Sequence, residues 1–138
     1  KKLIEQRIER RDFKRGGEVS SKLKEILRKL GVNTDIIRKT SIIAYELEMN
    51  IIIHSDGGKI TAYISGERIQ ICADDDGPGI EDIDKALQAG YSTAEDEIRE
   101  LGFGAGMGLT NVEKYSDEMD IKTSADEGTL VDVKLNVK

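Results

Sequence analysis

The sequence predicts an α+β fold, a two-layer sandwich in which helices cover one face of a mixed, mostly antiparallel sheet. Two observations carry this expectation. Period-two apolar alternation occurs in pairs, at 59–65 and 68–75 across a Gly66-Glu67 turn, and again at the end of the chain around Asp126, Glu127 and Gly128. Between and ahead of these pairs lie stretches with helical spacing. One domain spanning 1–138 is expected, with enough residues to bury a core.

In chain order, LIEQRIERRDF (3–13) alternates loosely and reads as a first strand, and a Gly16-Gly17 break follows it. EVSSKLKEILRKLGV repeats near every fourth residue and reads as a helix ending at Gly31. Asn33 or Thr34 then caps a long helix, TDIIRKTSIIAYELEMNIIIHS, stopped by Gly57-Gly58. After the first hairpin, DIDKALQAG reads as a short helix and 90–108 as a stretch rich in glycine and charge. GLTNVEKYSDEM resumes helical spacing, and DIKTSADEGTLVDVKLNV forms the closing hairpin.

Composition excludes several classes. A net charge of −6 argues against a nucleic-acid surface, since the only basic cluster, RIERRDFKR, is diluted by acids. No apolar run approaches the roughly 20 residues of a membrane span and no signal-peptide pattern is present, so a cytoplasmic protein is expected. The single cysteine, Cys72, sits in an alternating apolar run and reads as a buried small hydrophobe rather than a reactive thiol.

CADDDGPGI (72–80) places three carboxylates at the end of a strand. A calcium loop fails there: with Gly77 at the sixth position, Cys72 and Ile83 fall where oxygen ligands belong. A phosphate loop of the G-x-x-x-x-G-K-[ST] type occurs nowhere, and in GFGAGMGL Met107 and Leu109 fall where a dinucleotide fingerprint needs its third small residue.

Three spaced elements remain. Glu46, Asn50 and His54 lie at i, i+4 and i+8 of the long helix, within roughly 80° of one another, at the rim of the stripe formed by Ile43 and Leu47. They line a polar cavity, where the Asn oxygen suits Mg²⁺ and the Glu can take a proton, or they are a solvated helix edge. In Asp75-Asp76-Gly77-Pro78-Gly79 the glycines admit a flat ligand to the backbone while a carboxylate accepts from its edge, as an adenine amine would require; an ordinary turn is the alternative. Gly102, Gly104, Gly106 and Gly108 lead into a helix, an arrangement that favours phosphates, or else form a flexible loop.

In this order the three elements resemble the GHKL, or Bergerat-fold, ATPases: ELEMNIIIH is similar to the N box, DDGPGI to the first glycine box and GFGAGMGL to the second, so that the likeness extends from about residue 18 onward. The resemblance implies ATP and Mg²⁺ as cofactors, with Glu46 as catalytic carboxylate and Asn50 as metal ligand. It further implies Asp75 as the adenine acceptor, Gly77 and Gly79 as the backbone beside the base, and Gly102, Gly104, Gly106, Gly108 and Leu109 at the phosphates. Residues 90–103 would form a lid, and Thr129 would hold adenine through water. His54 is expected to hydrogen-bond backbone at its helix end.

Length, the N-x-x-x-H continuation and GYSTA most resemble the small bacterial anti-sigma regulatory and switch kinases. These transfer the γ-phosphate of ATP to a Ser or Thr of a partner STAS-domain protein, or sequester a sigma-type regulator, and often dimerise. Two departures stand out: Ile51 replaces the usual Ala, and AEDEIRE carries Arg99 as its only base. The alternatives are a nucleotide-dependent binding switch without catalysis and the ATP-binding domain of a longer histidine kinase.

Overall fold

The computed structural model describes residues 1–77, 108–124 and 128–137. The segment 82–90 and the lid 90–103 lie outside the described residues, as do Gly79, Gly102, Gly104 and Gly106.

Five strands of the described residues form one sheet: β1 (Lys2–Ile8), β2 (Gly58–Ser65), β3 (Arg68–Asp75), β4 (Glu118–Ser124) and β5 (Gly128–Asn136), in spatial order β1-β2-β3-β5-β4. Every pairing between described strands is antiparallel. Among the described residues three helices, α1 (Glu18–Lys29), α2 (Thr34–His54) and α3 (Gly108–Tyr115), give an α+β architecture of open sheet and helical layer. No described helix is long and apolar enough to cross a membrane.

Strand parity sets the core. Ile60 and Ala62 of β2, Ile69, Ile71 and Ala73 of β3, and Val131, Val133 and Leu135 of β5 point to the helical layer. They meet Leu23 and Leu27 of α1, Ile43, Leu47 and Ile51 of α2, and Leu109 and Val112 of α3. Each such Val, Leu or Ile side chain contributes about 1.5–3 kcal/mol when fully removed from water. α2 runs between α1 and α3, packing against both, and is therefore buried on most of its circumference. Asn33 caps it, its side chain accepting from the Asp35 amide at 2.8 Å. Ser55 ends it by accepting from the Gly57 amide at 3.1 Å and donating to the Ile51 carbonyl at 2.8 Å.

Two boundaries differ most from the sequence expectation. The first strand stops at Ile8 because Arg11 turns to φ 60° and gives its amide to the Ile52 carbonyl of α2 at 3.0 Å. A short 3-10 turn, Phe13–Arg15, leads into α1. The last helix stops at Tyr115: Glu118 to Ser124 pair with β5, placing Met119 opposite Val133 and Ile121 opposite Val131. Cys72 is not in the core. It shares the outer face of β3 with Gln70, half-buried, its Sγ 3.8 Å from Asp132 Oδ1, and burial with that carboxylate pushes the thiol pKa up.

Candidate functional site

Parity also sorts the three carboxylates that end β3. Asp75 follows Ile69, Ile71 and Ala73 onto the helical side and is 8% exposed, while Asp74 and Asp76 stand on the exposed side. One oxygen of Asp75, Oδ1, is held by two backbone amides, Gly77 at 3.0 Å and Thr129 at 2.9 Å. Burial raises its pKa, and the neighbouring Asp74 and Asp76 add to this; the two amides favour the ionised form and oppose it. A carboxylate oxygen beside one so fixed can itself accept a further hydrogen bond.

This arrangement needs glycine at two positions. Gly77 has φ +106°. Gly128, at φ +101°, opens β5 directly against Asp75: a Cβ there would lie 2.3 Å from the Asp75 carbonyl and 2.7 Å from Oδ1 and from the Gly77 nitrogen. In the sequence Gly128 reads only as a hairpin turn residue, and nothing local marks its approach to a residue on another strand. Next to it, buried Thr129 exchanges a hydroxyl hydrogen bond of 3.0 Å with Thr123 of β4.

The end of α2 is tied to the same place. The Asp56 amide donates to the Gly77 carbonyl at 2.7 Å, and the Asp76 amide to the Gly57 carbonyl at 2.8 Å. Asn50 and Glu46 lie one and two turns back from His54, roughly 6 and 12 Å along the axis at 1.5 Å per residue. Both are half-buried. Burial raises the Glu46 pKa, and the side chain of Asn111 on α3, within hydrogen-bonding reach, offsets part of the shift. Asn111 had no signal in the sequence, being one polar position on a helix. At the end of α2, burial and the Arg11 charge push the His54 pKa down and favour the neutral imidazole.

α3 begins at Gly108, so its first amides face the side from which the helix starts. The Leu109 side chain lies in the core, which leaves its backbone amide as the group available to a ligand. Among the described residues no group of three or more His, Cys, Asp or Glu side chains gathers as a metal cage. Asn50, a neutral oxygen donor, fits an ion that keeps most of its shell from water and phosphates, as Mg²⁺ does.

One buried carboxylate has a different task. Glu48, 1% exposed on α2, accepts from the Gly17 amide at 3.1 Å at the start of α1. Its pKa is pushed up to about 7 by burial, against the backbone amides of Gly17, Val19 and Glu18 that favour its charge. It pins α1 to the helix that carries Glu46 and Asn50.

Comparison with known proteins agrees with this architecture. The model of the histidine kinase-like ATPase domain matches residues 12–135. The serine/threonine-protein kinase RsbT of Bacillus subtilis is 34% identical over 77% of this chain and 77% of its own. An anti-sigma F factor of Thermoanaerobacter sp. is 41% identical over 62% of this chain, a match that spans 60% of that relative's length. Among solved structures, the SiaB-SiaC complex of Pseudomonas aeruginosa contains a chain that superposes with a TM-score of 0.60 at 14% identity, covering 97% of this chain and 89% of that one. With a family model over most of its length and a kinase relative over three quarters of it, this chain belongs to the histidine kinase-like ATPase domain family, a family of ATP-binding domains.

Proposed function

We propose that the chain is a Mg·ATP-dependent protein serine/threonine kinase, acting on a Ser or Thr of a STAS-type regulatory protein. The observation that carries the proposal is the half-buried Glu46 carboxyl, its pKa raised, one helical turn from Asn50 and in reach of α3. A module that only bound nucleotide would need Asp75 and the glycines but no base.

In the proposed reaction Asp75 accepts from the adenine amine through Oδ2, Gly77 gives the base access to the backbone, and Thr129 contributes its hydroxyl. Gly108 and the Leu109 amide face the phosphates, with Gly79, Gly102, Gly104 and Gly106 assigned beside them on the family pattern. Glu46 orients the acceptor hydroxyl and takes its proton while the hydroxyl oxygen bonds to the γ-phosphorus. The bond from that phosphorus to the bridging oxygen breaks, and ADP leaves with the electron pair. A raised pKa suits a carboxylate to this proton transfer near neutral pH. Mg²⁺, held by Asn50 when bound with nucleotide, would withdraw charge from the β and γ oxygens.

The relative named anti-sigma F factor favours a second role, sequestration of a sigma-type regulator. Incubation with Mg·[γ-³²P]ATP and a STAS-domain partner separates the two. Transfer lost in Glu46→Gln, with nucleotide affinity kept within about threefold, supports the kinase; a loss of about 10²-fold or more is expected for a proton-transfer group. Tight nucleotide binding without transfer in the wild type would leave the switch alone.

A further inference from the structure

We propose that Arg7 is a positioning residue for the nucleotide: from the sheet edge its guanidinium passes over Gly57 to Asp76 and holds the Asp75–Gly77 arm in the geometry that accepts adenine. The inference rests on the adenine role proposed for Asp75. Arg7 Nη2 donates to Asp76 Oδ2 across 69 residues of sequence. Asp76 stands between the Asp75 carboxylate and Gly77, so the position of its side chain constrains both.

The passage for the guanidinium is built into the fold. Gly57, at φ +115°, lies between β1 and the end of β3; a Cβ on it would meet Arg7 Nη2 at 3.2 Å and the Ile8 carbonyl at 3.0 Å. A side chain at 57 would crowd that path, and the backbone conformation there disfavours any side chain. A second tie runs alongside, from Arg10 Nη1 to Asp56 Oδ1 at 3.2 Å, and Asp56 is the residue whose amide holds the Gly77 carbonyl. Two arginines of the N-terminal segment thus grip two carboxylates, one on each side of the hydrogen-bonded pair of loops.

Charge gives Arg7 a second effect on the arm. Three adjacent carboxylates repel, and the positive charge at Asp76 relieves the repulsion nearest to Asp75. With Arg7 and Asp76 side chains 53% and 48% exposed, the effect is modest and reads out as affinity rather than as folding.

The test is ADP affinity by calorimetric titration, with inorganic tripolyphosphate as a probe that has phosphates and no base. Arg7→Asp is expected to weaken ADP about tenfold, and the exchange Arg7→Asp with Asp76→Arg to return it to within about twofold of wild type, as for close charge pairs. Arg7→Gln gives a loss of about two- to fivefold and serves if the reversal disturbs the edge strand. Tripolyphosphate affinity stays unchanged in the exchanged protein and in Arg7→Gln. Wild-type ADP affinity in both single variants, an exchange no better than Arg7→Asp, or a parallel loss of tripolyphosphate in Arg7→Gln overturns the inference. Asp75→Asn is the control: if it leaves ADP affinity untouched, the adenine role itself fails; if it weakens ADP while the Arg7 variants do not, only the role of Arg7 falls.

Discussion

Replacing Glu48 by Gln should remove most of one pH-dependent component of stability. Glu48 is buried against the start of α1 and its pKa is pushed up from 4.5 to about 7, so the folded protein keeps a proton that the unfolded chain releases. Below about pH 4.5 the group is protonated in both states and costs nothing; as the pH rises to 7 the unfolded state ionises first and gains, and above 7 the loss of stability is complete. A gap of roughly 2.5 units at about 1.36 kcal/mol each amounts to about 3 kcal/mol. Gln preserves the shape and the acceptor for the Gly17 amide but cannot ionise. Urea unfolding of both proteins at intervals from pH 4.5 to 8 should give a stability difference that shifts by about 3 kcal/mol in favour of Glu48→Gln as the pH rises. His54, with its lowered pKa, acts in the opposite sense, destabilising the fold as the pH falls, but it is common to both proteins and cancels. A difference that stays flat across the range would refute the reasoning and mean that Glu48 is ionised in the folded state at much lower pH.

Two further outcomes bear on the proposed adenine cradle. Asp75→Asn keeps an acceptor for the Gly77 and Thr129 amides but presents a donor where the adenine amine would donate, so ADP should bind about 10- to 100-fold more weakly, by titration, in a protein that still folds. Gly128→Ala places a methyl 2.3 Å from the Asp75 carbonyl at φ +101°. It should cost about 1–2 kcal/mol of stability in backbone strain alone, seen as a lowered urea midpoint, and should weaken ADP further by displacing Asp75.

The helices α1 and α2, the first hairpin, and the positions of Glu46 and Asn50 on one helix and of Asp75 at a strand end were legible because each depends on a local pattern. Period two put Asp75 on the inward row of β3 as surely as it did Ile71, and period 3.6 put Glu46 and Asn50 one turn apart. The same periodicity misplaced Cys72, since alternation says that one row is buried and leaves the other row, with Gln70 and Cys72, to the outer face. The boundary at Tyr115 was hidden for a different reason. GLTNVEKYSDEM continues a helical spacing, and only the partner strand, with Val131 and Val133 awaiting Ile121 and Met119, makes strand the better state for its end. The residues that shape the cradle from outside were hidden most deeply. Gly128 matters through a contact with Asp75, and Arg7 through one with Asp76, each set by strand register rather than by neighbours in sequence. The run of three carboxylates at the end of β3 looks uncompensated when read along the chain, because the charge that answers Asp76 sits on the edge strand β1. Register brings it within reach across Gly57, where a Cβ would crowd the guanidinium.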